Sequence, residues 1–381
     1  MDHKLTKDQC ELREWIRFFV KTEVSREVAR EIDRKDEFPF KIIRKLAEQG
    51  FTAVNVPKKY GGEGGGEIEV MILCEELSRA CPALTWAFGN IVLYGSNIIW
   101  ANGNDEQRRN FLPRLAKGEL LFAFGLTEPE AGSDAANIKT RAELKGDAYV
   151  INGSKMFITG GTVADYMITF TRTAPSRFKG ITSFVVDTRS PGFSTRAIHK
   201  LGYHGSDTAE IYFDDVRVPP SSILGGEEGL NQGWAQMVRL LNGERLALSA
   251  CAIGIAEATM ENVIAALKER EAGGVSDSSL QDVKHRVVEM ATELEAARQL
   301  AYHAAWMETQ HIECVRETSM SKYFCTETAK KIAVTALDVL GSSGYSMECD
   351  VQRHLRDVLI LTIGGGTTQV QKNIVAKTLG L

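Results

Sequence analysis

No pair of cysteines in this chain has the spacing of a metal site or a redox motif. Cys10, Cys74, Cys81, Cys251, Cys314, Cys325 and Cys349 are odd in number, widely spread and never form CxxC. That pattern argues against both a disulfide framework and zinc. Basic charge is also in short supply, with 45 Lys and Arg against 50 Asp and Glu for a net charge of −5. The bases are scattered, so no nucleic-acid partner is expected. The opening MDHKLTKDQCELREW lacks the apolar core of a secretory signal, which makes a cytoplasmic location the expectation. The most apolar run, Leu84 to Trp100, carries Gly89, Asn90, Gly95, Ser96 and Asn97. It is short for a membrane span and reads as a buried helix, so no membrane partner is expected. His285, His303 and His354 lie in helical segments without paired ligand spacing, which points to solvated or core positions. No internal repeat or low-complexity tract is present.

What is there is the composition of an ordinary globular protein, 44% hydrophobic and 25% charged over 381 residues. Such a length favours two or three domains. From Lys7 to Lys117 the pattern is helical, with Pro39 at one start and Gly50 at one stop. The glycines of KYGGEGGG lack the Lys-Ser/Thr of a phosphate loop and are expected to form a mobile connection. Between about Gly118 and Gly226 the period becomes alternating, with strands expected at AYVING, YMITFTRT, GITSFVVDT and AEIYFDDVRVP. Helical spacing then returns in three long stretches: Trp234, Met237, Leu241 and Leu248; Val283, Val287, Leu294 and Ala301; Phe324, Ile332, Ala336 and Leu340. The expectation is an α+β multidomain chain. It has an N-terminal α-helical domain (1–117), a middle antiparallel β-barrel-like domain (118–226) and a C-terminal four-helix bundle (227–381).

Two short strings in the middle section carry the functional signal. LTEPEAGSD, Leu126 to Asp134, offers Thr127, Ser133 and a Gly132 that lets main chain approach closely. KMFITGG, Lys155 to Gly161, adds the flat apolar Phe157 and the hydroxyl of Thr159. Hydroxyls, backbone N–H groups and a flat apolar side chain are what the edge and face of a redox flavin require. Either string alone reads as an ordinary loop and strand; their order and spacing make the pair informative.

With these two motifs between helical sections, the chain resembles the acyl-CoA dehydrogenase family along its whole length. DVLGSSGY (Asp338 to Tyr345) is similar to that family's Gly-rich adenine-side loop, and RHLRDVLILTIGGGTTQVQ (Arg353 to Gln371) to its closing flavin and substrate segment. The resemblance implies FAD, a homotetramer, an acyl-CoA thioester substrate and electron-transferring flavoprotein as redox partner. It assigns Phe124, Leu126, Thr127 and Ser133 to the isoalloxazine or thioester, and Phe157, Ile158 and Thr159 to the ring-edge strand. Thr367 and Gln369 match FAD contacts. Arg270 and Gln281 match positions from which a neighbouring subunit holds pyrophosphate and adenosine, and Asp338, Val339, Leu340, Gly341 and Ser342 match the neighbour's loop.

Many members of that family place a catalytic glutamate just before the Gly-Thr of the closing segment, where this chain has Gly365. A dead enzyme, a different chemistry or a base from elsewhere would each explain the glycine. Helical spacing puts Glu244 on the apolar stripe with Trp234, Met237, Leu241 and Leu248, where a carboxylate is costly unless paired or functional. From the residues alone an ion pair with Arg245 or another basic group explains it better than catalysis does. The resemblance favours catalysis, because NGERLALSA is similar to the isovaleryl-CoA and long-chain branches, which carry their base at the position of Glu244. It also places Arg245 near the CoA arm and Asn242 among substrate contacts, and assigns the Gly365 N–H to the thioester oxygen.

Three departures from the family pattern stand out. Glu130 replaces a small residue, as an outward carboxylate or a charge that tunes the flavin; Arg270-Glu271-Ala272-Gly273-Gly274 lacks the usual aromatic; and Asp338 and Ser342 alter the Gly-rich loop. Trp86, Asn90 and Tyr94 share a helix face, either as plain core or as pocket lining. In the second case the rings shorten the pocket and Asn90 meets a polar acyl group. The expected function is α,β-dehydrogenation of a short, branched, cyclic or polar acyl-CoA. The alternatives are an enoyl-CoA reductase running in reverse and a β-eliminating, desulfinase-like flavoprotein. A DNA-binding flavoprotein is disfavoured, because that branch carries a basic C-terminal extension and this chain stops at Leu381.

Overall fold

The computed structural model describes residues 5–273 and 277–381. Seven helices come first: α1 (Lys7–Glu23), α2 (Arg26–Lys35), α3 (Phe40–Glu48), α4 (Glu67–Ala80), α5 (Pro82–Ile91), α6 (Ile98–Asn102) and α7 (Asp105–Ala116). Their ends follow local chemistry. Thr6 with Gln9 and Asn104 with Gln107 form reciprocal capping boxes at α1 and α7, which satisfy backbone donors that a helix start leaves orphaned. Pro39 precedes α3, and Gly50 follows it at φ +79°, a left-handed stop that glycine adopts without a Cβ penalty. The KYGGEGGG loop differs from its expectation. The N–H groups of Glu63, Gly64 and Gly65 donate to the carbonyls of Ala53, Val56 and Val54 at 2.8–3.0 Å, so the loop is tied down by main chain.

The apolar run from Leu84 to Trp100 is a buried helical segment with one irregularity. Between α5 and α6, residues Val92–Asn97 widen into a π-turn, which inserts a residue and rotates the face that follows. Such turns are frequent at functional sites.

Seven strands follow: β1 (Phe122–Gly125), β2 (Arg141–Lys145), β3 (Ala148–Thr159), β4 (Tyr166–Arg172), β5 (Ile181–Asp187), β6 (Phe193–Ala197) and β7 (Thr208–Val218). They form one sheet in the order β1-β4-β2-β3-β7-β6, with β5 also paired to β4. Four of the seven were legible from alternation; β1, β2 and β6 are only four or five residues long. The sheet is largely antiparallel, but β1 runs parallel to β4, with Phe122 opposite Tyr166. The β2–β3 hairpin intervenes in sequence, so β4 returns in the direction of β1.

The C-terminal section holds α8 (Gly233–Ala272), α9 (Asp277–Thr309), α10 (Val315–Leu340), the short α11 (Ser342–Tyr345), α12 (Asp350–Leu361) and α13 (Thr368–Thr378). The 40-residue α8 is the central rod and packs on α4, α9, α10 and α12. Because it contacts both helical sections and β5, it is apolar on nearly all sides along its middle, as a fully enclosed helix must be. His354 is a core residue here: its ring is 3% exposed and its Nδ1 lies 3.0 Å from Thr259 Oγ1. Burial pushes its pKa down to about 3.

Candidate active site

The two middle motifs fold against each other around a buried ion pair. Lys155 Nζ lies 2.7 Å from Glu128 Oε1 and also donates to the Leu126 carbonyl at 3.2 Å. The same carboxylate accepts from the backbone N–H groups of Lys139 and Thr140 at 2.6 and 3.0 Å. Met156 N–H donates to Thr127 O at 2.9 Å. This explains the co-occurrence of the strings, since the Glu of one neutralises the Lys of the other in a site neither occupies well alone. Burial pushes the Lys155 ammonium down to about 8 against the attraction of Glu128. The Glu128 carboxyl, despite burial, is held below the ordinary range by Lys155 and the backbone donors. Neither residue is among the cofactor positions expected from the sequence; the motif spacing was the available signal. Glu130 points outward and pairs with Lys139.

The bonded framework aims a flat face at solvent. β3 is bulged between Lys155 and Ile158, and Phe157 sits in the bulge at φ +58° with 60% of its surface exposed. A bulky residue in the left-handed region is strained, and that strain concentrates at functional sites. Ile158 is buried behind it, Thr159 is half-buried beside it, and Phe124, Leu126 and Thr127 are half-buried on the adjoining strand and loop. Ser133 lies exposed on the same loop.

A narrow cleft opens beside this wall, lined by Leu93, Tyr94, Asn97, Ile98, Phe124, Leu240 and Glu244. Its aromatic side is a ladder of rings: Trp86 stacks on Tyr94 at 6.4 Å between centroids, Tyr94 on Phe124 at 5.7 Å, and Phe124 meets Phe170 edge-on at 4.9 Å. The π-turn carries both Tyr94 and Asn97 to the cleft; Asn97, three residues after Tyr94, was available from helical spacing but was not among the sequence candidates. Asn90 requires a correction, because it does not face the cleft. Its Nδ2 donates to Phe122 O at 2.7 Å and Thr159 O at 3.2 Å, so it clamps β1 and β3 to α5. A Cβ at Gly160 would lie 2.2 Å from that nitrogen.

Glu244 enters the cleft from α8 and makes no hydrogen bond or ion pair with any described residue. The ion-pair explanation is therefore not realised, although Arg245 is its chain neighbour. Desolvation raises the Glu244 pKa above the ordinary carboxylate range, opposed by the charges of Arg245 and Lys322. Arg245 is 5% exposed and its Nε is buried without a partner. Gly365 meets Glu244 directly: a Cβ built there would lie 4.0 Å from the Glu244 carboxyl carbon and 2.3 Å from Leu248 Cδ1, on a backbone at φ +62°. Among the described residues the Gly365 N–H has no acceptor. Gln371 Nε2 holds the carbonyls of Gly365 and Gly366 at 2.9 and 3.1 Å, and Thr367 caps α13 by accepting from Val370 N–H.

The remaining sequence candidates gather elsewhere. Arg270 donates to the carbonyls of Val339 and Leu340 at 3.3 and 3.5 Å, beside exposed Asp338, Gly341 and Ser342. Gln281 and Gln369 are exposed. Asn242 is turned away from the cleft, and this corrects its placement as a substrate contact. Its amide is held by Glu308 at 3.1 Å and Thr318 at 3.2 Å, because residue 242 lies two positions from Glu244 and so on another helix face.

Comparison with known proteins agrees along the whole chain. Residues 6–119, 123–216 and 231–380 match the N-terminal, middle and C-terminal domain models of acyl-CoA dehydrogenases. An acyl-CoA dehydrogenase of Bacillus subtilis is 37% identical over 98% of both chains. An NADH-dependent acryloyl-CoA reductase of Anaerotignum propionicum is 37% identical over 99% of this chain and 95% of its own. The structure of butyryl-CoA dehydrogenase from Megasphaera elsdenii superposes with a TM-score of 0.94, at 33% identity and full coverage of both chains.

Proposed function

The chain belongs to the acyl-CoA dehydrogenase family, whose members are flavoprotein oxidoreductases, and from that premise we propose that it removes hydrogen across the α,β bond of a short acyl-CoA, with Glu244 as the base. The observation that carries the assignment is an unpaired, desolvated Glu244 in the cleft close to Gly365, whose N–H has no acceptor among the described residues.

The residues fit FAD. Phe157 offers an exposed apolar face on a strained bulge, Thr127 and Thr159 offer hydroxyls next to it, and Lys155 with Glu128 makes the cradle rigid. When bound, FAD supplies the acceptor for the hydride that leaves the β carbon. The chain's own residues do the rest. The Gly365 N–H donates to the thioester oxygen and draws charge from the carbonyl, which acidifies the α carbon. Glu244, with its raised affinity for a proton, takes that proton in a site from which the aromatic walls exclude water. The glycine at 365 removes a side chain and keeps the donor, so the oxyanion site survives the relocation of the base.

Tyr94 and Phe124 narrow the cleft, with Trp86 stacked on Tyr94, which supports a short, branched or cyclic acyl group; Asn97 supplies the amide of the lining and admits a polar substituent. We assign electron-transferring flavoprotein as the redox partner. A homotetramer suits the two separated groups of cofactor residues, with Arg270 and the 338–342 loop serving a neighbour. The reductase direction is a second reading, favoured by the acryloyl-CoA reductase at equal identity; the same residues serve it, with Glu244 returning the proton.

The test is anaerobic titration of the FAD-loaded protein with acyl-CoA and enoyl-CoA thioesters, following flavin absorbance. Glu244→Gln is expected to keep FAD and slow acyl-CoA-dependent bleaching about 100-fold or more. Near-normal bleaching in that variant, or best turnover with C12 or C16 chains, would overturn the respective assignment.

A further inference from the structure

One buried cation stands behind the site and takes no part in the reading above. Lys322 on α10 is fully buried, and its Nζ donates to the Gly366 carbonyl at 2.7 Å. Burying a lysine is costly unless its charge is used, and here it forms no ion pair with any described residue. What it holds is the Gly364–Gly366 turn. That turn carries the Gly365 N–H, and a Cβ at 365 would lie 4.0 Å from the Glu244 carboxyl carbon.

Two glycines in the left-handed region, Gly365 at φ +62° and Gly366 at φ +89°, leave the turn with little stiffness of its own. Its carbonyls are pinned from one side by Gln371 and from the other by Lys322. The ionisable groups that face Lys322 are Glu244 and Arg245 on α8 and Glu327 on its own helix. Those that face Glu244 are Arg245, Lys322 and, from the π-turn, Tyr94.

We propose that Lys322 is a positioning residue for the reaction: it fixes the turn that presents the Gly365 N–H and supplies the positive charge that keeps the facing Glu244 ready to accept a proton. The proposal rests on Glu244 being the base. Its electrostatic part has support in the opposed shifts, since Lys322 pulls the Glu244 carboxyl down while Glu244 sustains a lysine that burial lowers to about 8.

Two neutral variants separate the roles. Lys322→Met removes both charge and donor; Lys322→Gln removes the charge and retains a donor for Gly366 O. Both are prepared as FAD-loaded protein, and kcat and KM are measured from pH 5.5 to 9 with the best acyl-CoA found in the titration. Both variants are expected to move the acid limb of kcat to higher pH, because Glu244 loses a neighbouring charge. In Lys322→Met kcat at pH 7 falls about tenfold or more, a typical share of a preorganised donor, while KM changes less than about threefold. Lys322→Gln recovers part of kcat and none of the shift, and Lys322→Arg restores the acid limb. An acid limb unmoved in both neutral variants overturns the proposal, as does a fall confined to KM. If neither neutral variant accumulates as folded flavoprotein while Lys322→Arg does so with its acid limb displaced, the charge serves the fold and the proposal is withdrawn. Glu244→Gln remains the separate check on the base: full bleaching there sinks the underlying assignment, whereas an unmoved acid limb here sinks the role of Lys322 alone.

Discussion

Moving the proposed base from Glu244 to the adjacent position 365 is the sharpest perturbation the geometry allows. Relatives that carry a glutamate at the position of Gly365 invite the variant Glu244→Gln/Gly365→Glu, which restores a carboxylate close to where the wild-type group sits. The structure sets the penalty. The backbone at 365 lies at φ +62°, where an L-residue is strained by about 1–2 kcal/mol. The new Cβ would also stand 2.3 Å from Leu248 Cδ1, and forcing a methyl aside in a packed core costs about 1–3 kcal/mol. The added side chain relieves both by shifting the turn, which displaces the Gly365 N–H from the thioester oxygen. At roughly tenfold in rate per 1.4 kcal/mol, the double variant is expected to bleach flavin at least about tenfold more slowly than wild type, though faster than Glu244→Gln alone. Leu248→Val removes the offending Cδ1, and added to the pair it should raise the rate about fivefold by relieving about 1 kcal/mol of strain. Anaerobic stopped-flow bleaching by one acyl-CoA measures all three variants. Wild-type rate in the double variant with Leu248 intact, or no response to Leu248→Val, would refute the reasoning.

Other expectations concern the framework around the cleft. Asn90→Ala strands the carbonyls of Phe122 and Thr159 and should destabilise the protein by about 1–3 kcal/mol without altering the rank order of acyl-CoA substrates; a changed order in a fully stable variant would restore Asn90 as a substrate contact. Glu128→Gln leaves Lys155 buried without its counter-charge, for a loss of about 3–5 kcal/mol in urea unfolding together with weaker FAD retention; a shift below about 0.5 kcal/mol contradicts the cradle. Burial beside Glu308 and Glu69 pushes the Glu67 carboxyl up to about 7 from its ordinary 4.5. The folded chain therefore holds an extra proton between those values, and stability falls as pH rises through that window. Glu67→Gln should accordingly gain about 1–3 kcal/mol at pH 8 and nothing at pH 4, as read from thermal unfolding; an equal gain at both pH values would point to packing instead.

Local pattern carried a good deal of this architecture. The 3.6-residue spacing of Trp234, Met237, Leu241 and Leu248 placed α8 and put Glu244 on its inward face, and alternation found β3, β4, β5 and β7. Pro39 and Gly50 marked the ends of α3 because capping chemistry is local. Position-specific contact was less legible. Asn90 read as core or pocket lining from its helix face, and Asn242 as a substrate contact from the resemblance, yet one amide clamps Phe122 O and Thr159 O and the other is held by Glu308 and Thr318. Asn97 was available from its i+3 spacing to Tyr94, whereas the tied KYGGEGGG loop was not legible because its partners are backbone carbonyls that no side chain announces.

Short windows of sequence sufficed for the flavoprotein family and for the inward face of α8 that carries Glu244, since LTEPEAGSD, KMFITGG and an apolar stripe are local properties. Tertiary structure alone decided that Glu128 and Lys155 neutralise each other, that Gly365 lies against Glu244, and that Lys322 holds the turn between them. Those facts depend on residues 27, 121 and 44 positions apart meeting in a desolvated space, where a charge or an unpaired N–H acquires its energy from what surrounds it and not from its neighbours along the chain.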